Sequence, residues 1–206
     1  MDKKDALTTI AMLSVAGYIS AQIFADISST KIAMVAGLAI DGGTFVYPFT
    51  FTLRDMIHKA WGKAMAKKVV LTAGAINLLM ALFFSFIIWL PADPTWGFQA
   101  EFETILGPLW RIVIASILAE VISELIDTEA YSFFINRISK KFQWGRVLFS
   151  NALSIPIDSV VFGLIAFVGD LPIEVVISII ISNILVKGLM TIFSIPGIYL
   201  VKTERS

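Results

Sequence analysis

Long apolar runs, interrupted by at most one charge, decide what this chain can fold into. Ala6–Ala25 and Val69–Leu90 carry no charge at all. Val147–Val168 carries only Asp158, and Val175–Val201 only Lys187. An α-helix rises about 1.5 Å per residue, so roughly 20 apolar residues cross the ~30 Å hydrocarbon layer. Each run therefore predicts a membrane-spanning helix. Two more polar segments complete the set: Thr44–Ala60, with Arg54, Asp55 and His58, and Pro108–Phe134, with Arg111, Glu120, Glu124, Asp127 and Glu129. The expected fold class is an all-α membrane protein: a six-helix bundle in one integral membrane domain over residues 1–206, with spans at about 6–26, 44–60, 69–90, 108–134, 147–168 and 174–201. The first run lacks a small-residue cleavage pattern, which predicts a retained span and not a signal peptide.

Basic residues test that count. Lys3 and Lys4, then Lys59, Lys63, Lys67 and Lys68, then Arg137, Lys140, Lys141 and Arg146, then Lys202 and Arg205 all fall on one side if there are six spans. Cytoplasmic loops carry the excess of Lys and Arg. Both termini are therefore expected in the cytoplasm, and five or seven spans would scramble the pattern. Thr30–Gly43 is apolar, short and interrupted by glycine. It reads equally as an outer-face hairpin or re-entrant segment and as an ordinary loop with a frayed helix end. Leu90–Thr104, with Pro91, Pro94 and Trp96, reads as a plain outer loop.

Composition excludes several functions. Sixteen basic residues balance sixteen acidic ones, so nothing suggests nucleic acid as a partner. Zero cysteines and one histidine exclude thiolate or His-rich metal centres and cysteine nucleophiles. No glycine-rich phosphate loop is present, and no cofactor or enzymatic activity is expected. Membrane lipid is an expected partner, and a homodimer is an open arrangement.

Ionisable groups inside a bilayer cost about 2.5–3.5 kcal/mol each on insertion scales, and they commonly line a bundle interior or aqueous cavity. The second, fourth, fifth and sixth spans are expected to hold them, with none in the first and third. Glu120, Glu124 and Asp127 recur at i, i+4 and i+7, on one helical face, with Ser123 beside them. Three like charges so close cannot all ionise cheaply in low dielectric. Asn151, Ser154 and Asp158 share a face of the fifth span, where Pro156 is expected to loosen the helix. Asn183 and Lys187 are one turn apart on the sixth. Lys187 is too deep to snorkel, so it should find Asp158 or Glu124 and act as a clamp or gate with them. Arg54 and Asp55 point in different directions, each needing a partner for charge pairing or gating. Phe45 and Phe49 offer flat surfaces to a planar ligand, although aromatic residues of such spans more often face lipid. Gly17, Ala21 and Ala25 form a small-residue series that allows close helix packing, or the docking of another subunit.

Three stretches carry a resemblance: Gly43-Thr-Phe-Val-Tyr-Pro-Phe-Thr-Phe-Thr-Leu-Arg-Asp55 with Trp61-Gly62; Ser150-Asn-Ala-Leu-Ser154-Ile-Pro-Ile-Asp158-Ser159-Val-Val-Phe162; and Ser182-Asn183-Ile-Leu-Val-Lys187. From about Gln22 to Leu200 the chain resembles the vitamin-uptake-transporter-like family that includes queuosine precursor transporters. The resemblance implies a six-helix uptake protein whose partner is a small planar heterocyclic substrate, a deazaguanine base, similar in fold to the substrate-binding subunits of energy-coupling-factor transporters. His58-Lys59 departs from the Thr-Glu usual in that family, which constrains the substrate less than the fold. The expected binding residues are Glu120, Glu124, Asp127, Asn151, Asp158 and Asn183 with Phe45 and Phe49. The acids accept N–H donors of a guanine-type edge, and the amides both donate and accept. Alternatives are a binding subunit of an energy-coupling-factor vitamin transporter, or a carrier of another purine-like or vitamin-like solute.

Overall fold

The computed structural model describes residues 3–138 and 143–200. They form seven helices and one β-hairpin: α1 (Lys3–Ser28), β1 (Ile32–Val35), β2 (Leu38–Asp41), α2 (Tyr47–Trp61), α3 (Lys63–Trp89), α4 (Gln99–Leu106), α5 (Leu109–Arg137), α6 (Gln143–Phe167) and α7 (Ile173–Leu200). Among the described residues, four stretches are long and apolar enough to cross a membrane: Ala64–Trp89, Gln99–Phe134, Leu148–Phe167 and Ile173–Phe193. Met12–Ser28 is a shorter apolar helix. At 15 residues, α2 is about 22 Å long, less than the hydrocarbon thickness. The chain divides into two compact units, Met1–Ser116 and Ile117–Ser206, with the boundary inside α5.

In the first unit, α1 packs on α2 and α3. Tyr18, Ile57, Ala66, Val69 and Ala73 are buried together, flanked by Val15, Ile19, Leu53 and Val70. Small residues make the approach of α1 possible: Ala21 and Ala25 are buried, and a Cβ on Gly17 would already touch Leu53 of α2. The opposite face of α3 leaves Leu71, Leu78, Leu79, Leu82, Phe83 and Phe86 exposed. Six large apolar side chains on one helix face suit lipid, which solvates them without cost.

Residues 30–43 fold as a tight antiparallel hairpin in which Val35 pairs with Leu38. Its two turn residues, Ala36 and Gly37, both have positive φ (50° and 82°), the backbone a two-residue hairpin turn requires. Asp41 then anchors the hairpin to the helices. Its carboxylate is buried and accepts from Ser29 Oγ (2.8 Å), Thr44 N (3.2 Å) and Thr44 Oγ1 (2.8 Å). Between α2 and α3 a single residue, Gly62, turns the chain at φ 83°, which ends one helix and lets the next begin at once.

Two expectations fail in this unit. The segment Leu90–Thr104 is not a plain loop: α4 starts at Gln99, and the Gln99 amide donates to Ile88 O (3.1 Å), satisfying a carbonyl that the end of α3 leaves open. The first helix is also not free of ionisable groups, although the third span, Val69–Leu90, is. Asp26, at the end of α1, is buried and accepts from Nδ2 of Asn77 on α3 at 2.5 Å. The uncharged run of α1 stops one residue short of this acid, so hydropathy alone passes over it.

The second unit is built on α6 and α7, which pack closely along their length. Gly163 allows this: a Cβ there would come within 2.5 Å of Ile180 Cγ1. Near the other end, Phe149 of α6 stacks on Phe133 of α5 at 6.3 Å and 19°, and lies 5.6 Å from Phe134. Pro156 does not break α6, which is helical through it. A proline removes one intrahelical bond, and packing on both neighbours holds the helix in place.

Candidate functional site

The second unit gathers its polar side chains along the seam of α5, α6 and α7. Helical spacing puts Asn151, Ser154 and Asp158 on one stripe of α6, and Asn183, Lys187 and Thr191 on one stripe of α7. Lys187 forms an ion pair with Asp158 Oδ2; the two side chains are 3% and 17% exposed. Of the two acids expected to receive Lys187, the structure selects Asp158. The second carboxylate oxygen, Oδ1, accepts from Ser123 Oγ of α5 at 3.3 Å. One turn away, Asn151 Nδ2 donates to Thr191 Oγ1 (3.1 Å), whose hydroxyl donates to Lys187 O (3.1 Å). Ser150, Ser154, Ser159, Ser182 and Asn183 are all buried along these helices.

This arrangement is a neutral polar seam inside an apolar unit. An ammonium and a carboxylate cancel, and amides and hydroxyls absorb the remaining lone pairs and protons, as burial demands. Two side-chain oxygens escape that accounting. Asp127 Oδ1 and Ser159 Oγ are sealed from the surface and have no hydrogen-bond partner among the described residues.

The other expected residues are distributed less simply. Glu120 is half-buried and Glu124 exposed, and both interact with neighbours. Arg54 is half-buried on α2 and also engaged. Phe45 and Phe49 are 54% and 65% exposed in the first unit. The aromatic contacts between α5 and α6 are made instead by Phe133, Phe134 and Phe149, which sequence reasoning overlooked. The side chains of Asp55 and His58 lie outside the described residues. Among the described residues, no group of three or more His, Cys, Asp or Glu side chains is placed to hold a metal ion.

Comparison with known proteins gives a consistent picture. The model of a family described as "Putative vitamin uptake transporter" matches residues 41–201, which include all three motif stretches. A Bacillus subtilis protein named "Probable queuosine precursor transporter" is 32% identical over 186 residues, covering 88% of this chain and 80% of that protein. The Escherichia coli "Queuosine precursor transporter" is 23% identical over 138 residues, covering 65% and 58%. No solved structure matches the chain.

Proposed function

The chain belongs to the vitamin uptake transporter family, and on that premise we propose that it takes up a queuosine precursor, a deazaguanine base, across the cell membrane. It does so as a multi-pass membrane protein in which α1, α2, α3, α5, α6 and α7 all cross, with both termini in the cytoplasm. The substrate site belongs to the polar seam of the second unit: Asp127 and Glu124 of α5, Asn151 of α6 and Asn183 of α7, with Glu120 at its edge and Asp158 of α6 built into it. Lys187 is the charge partner that holds the seam together.

The observation that supports this reading best is the buried Lys187–Asp158 pair with its hydroxyl and amide neighbours in helices otherwise apolar. A membrane anchor has no need of it, because replacing a buried ion pair by apolar residues is often neutral or stabilising. A carrier of a polar, flat molecule does need it. Acids, amides and hydroxyls replace the water that a heterocycle loses on entering the bilayer, and the low dielectric strengthens each contact.

Uptake decides the matter. Cells unable to make the precursor and lacking their own importer are fed the base, and queuosine in their transfer RNA is measured. This chain should restore it. Asp158→Asn and Glu124→Gln should reduce it at normal levels of membrane-inserted protein. No restoration by the unmodified chain refutes the function; full restoration by both variants refutes the site.

A further inference from the structure

We infer that Asp127 is the group that recognises the N–H donors of the carried base, and that Asp158 is withheld from the substrate by Lys187. The inference rests on the proposed uptake of a deazaguanine and assigns specificity within it.

Four acids stand on or beside the polar seam, and they differ in what they have left to offer. Both oxygens of Asp158 are occupied, one by Lys187 and one by the Ser123 hydroxyl. Glu120 and Glu124 interact with neighbours, and Glu124 is exposed. Of these four, Asp127 has a carboxylate oxygen that is sealed from the surface and has no partner among the described residues. A buried acceptor without a donor keeps its full desolvation cost, and native structures satisfy nearly all such atoms. A ligand that brings its own N–H removes the defect.

The position of Asp127 fits that role. It lies four residues after Ser123 on the same face of α5, about 6 Å further along the helix. Ser123 touches Asp158 of α6, and Phe134 touches Phe149 of α6. Between those two contacts α6 presents Ser154 and Asn151 on the Asp158 stripe. Along the helix axes Asp127 therefore falls between the two contacts, at the level of the α6 turn that carries Ser154, with the ion pair on one side and the aromatic contact on the other. A base that enters the seam there meets an acceptor oxygen with no donor among the described residues before it meets the clamp. The guanine-type edge suits it, because a ring N–H and an exocyclic amine side by side match the two oxygens of one carboxylate.

The test is a cycle between protein and ligand. Dissociation constants of 7-deazaguanine and 7-deazahypoxanthine, which lacks the exocyclic amine, are measured on purified full-length protein and on Asp127→Asn and Asp158→Asn. The native protein should prefer 7-deazaguanine by at least tenfold. Asp127→Asn should reduce that preference to about twofold or less, with a smaller loss for 7-deazahypoxanthine, which brings only the ring N–H, because pairs that interact are not additive. Asp158→Asn should keep the preference even if both bases bind more weakly. Ligand-free melting adds a readout that a merely structural acid would not give. Asp127→Asn should melt no lower than the native protein, because it removes an unpaired charge; Asp158→Asn, which strands Lys187, should melt lower. A preference that survives in Asp127→Asn, or is lost only in Asp158→Asn, overturns the assignment. So does a drop in melting for Asp127→Asn. If the native protein binds both bases equally well, the assignment fails while the uptake function stands; if it binds neither, the deazaguanine reading itself fails.

Discussion

Replacing Lys187 by methionine should destabilise the protein strongly, and removing its acid as well should restore most of the loss. Lys187 is 3% exposed and Asp158 17% exposed, so the pair has little solvent to fall back on. In Lys187→Met the side chain keeps its length and apolar stem, but Asp158 retains only the Ser123 hydroxyl at 3.3 Å, a long contact for an O–H donor. Breaking a buried pair by removing one partner costs about 3–5 kcal/mol. The residual exposure of Asp158 places the cost near the lower figure. For a chain of 150–250 residues, 1 kcal/mol moves the melting temperature by roughly 2–4 °C, so the single variant should melt about 6–12 °C lower. Lys187→Met with Asp158→Leu leaves no charge to strand. Double replacement of such pairs is often neutral, so this variant should melt within about 4 °C of the native protein. The assay is thermal unfolding of purified protein in one detergent, with all variants in parallel. If the double variant melts as low as the single one, or the single variant melts like the native protein, the pair is not the buried unit described here.

Three further perturbations probe other parts of the fold. Asn77→Leu removes the donor that Asp26 receives at 2.5 Å; a hydrogen bond to a charged group contributes about 1.5–3 kcal/mol, so thermal unfolding should shift down by several degrees, and an unchanged curve would count against the α1–α3 link. Gly163→Val puts a branched side chain where a single Cβ already meets Ile180 Cγ1 at 2.5 Å; overpacking of about 1–3 kcal/mol should lower melting, and Ile180→Ala should recover part of it. Asp93 is held below the ordinary aspartate value by the Thr95 hydroxyl and then the Thr95 amide. Its contribution is therefore complete above the unfolded-state value and fades as pH falls through the folded one. In Thr95→Ala, carboxyl NMR titration should show Asp93 moving up towards the ordinary value.

Much of the chain could be read from its sequence, because apolar runs and charge placement are local properties. Hydropathy is summed along the chain, so Ala64–Trp89, Leu148–Phe167 and Ile173–Phe193 announce themselves as membrane-length helices without any partner. Helical periodicity likewise groups Asn151 with Asp158, and Asn183 with Lys187, since neighbours one turn apart share a face whatever packs against them. The motif stretches carried the family for the same reason.

What only the tertiary structure decided are relations between residues far apart in sequence. Lys187 had two plausible acids, and the packing of α6 on α7 gave it Asp158, 29 positions away. Asp26 found Asn77 across 51 positions, in two helices that hydropathy had marked as free of ionisable groups. Residues 30–43 fitted a hairpin and a loop equally until the positive φ of Ala36 and Gly37 and the Asp41 anchor selected the hairpin. Asp127 looked no different from its neighbours on the acidic stripe. Its unpartnered oxygen exists only because of what surrounds it in space, and satisfaction of a buried lone pair is a three-dimensional property that no sequence pattern records.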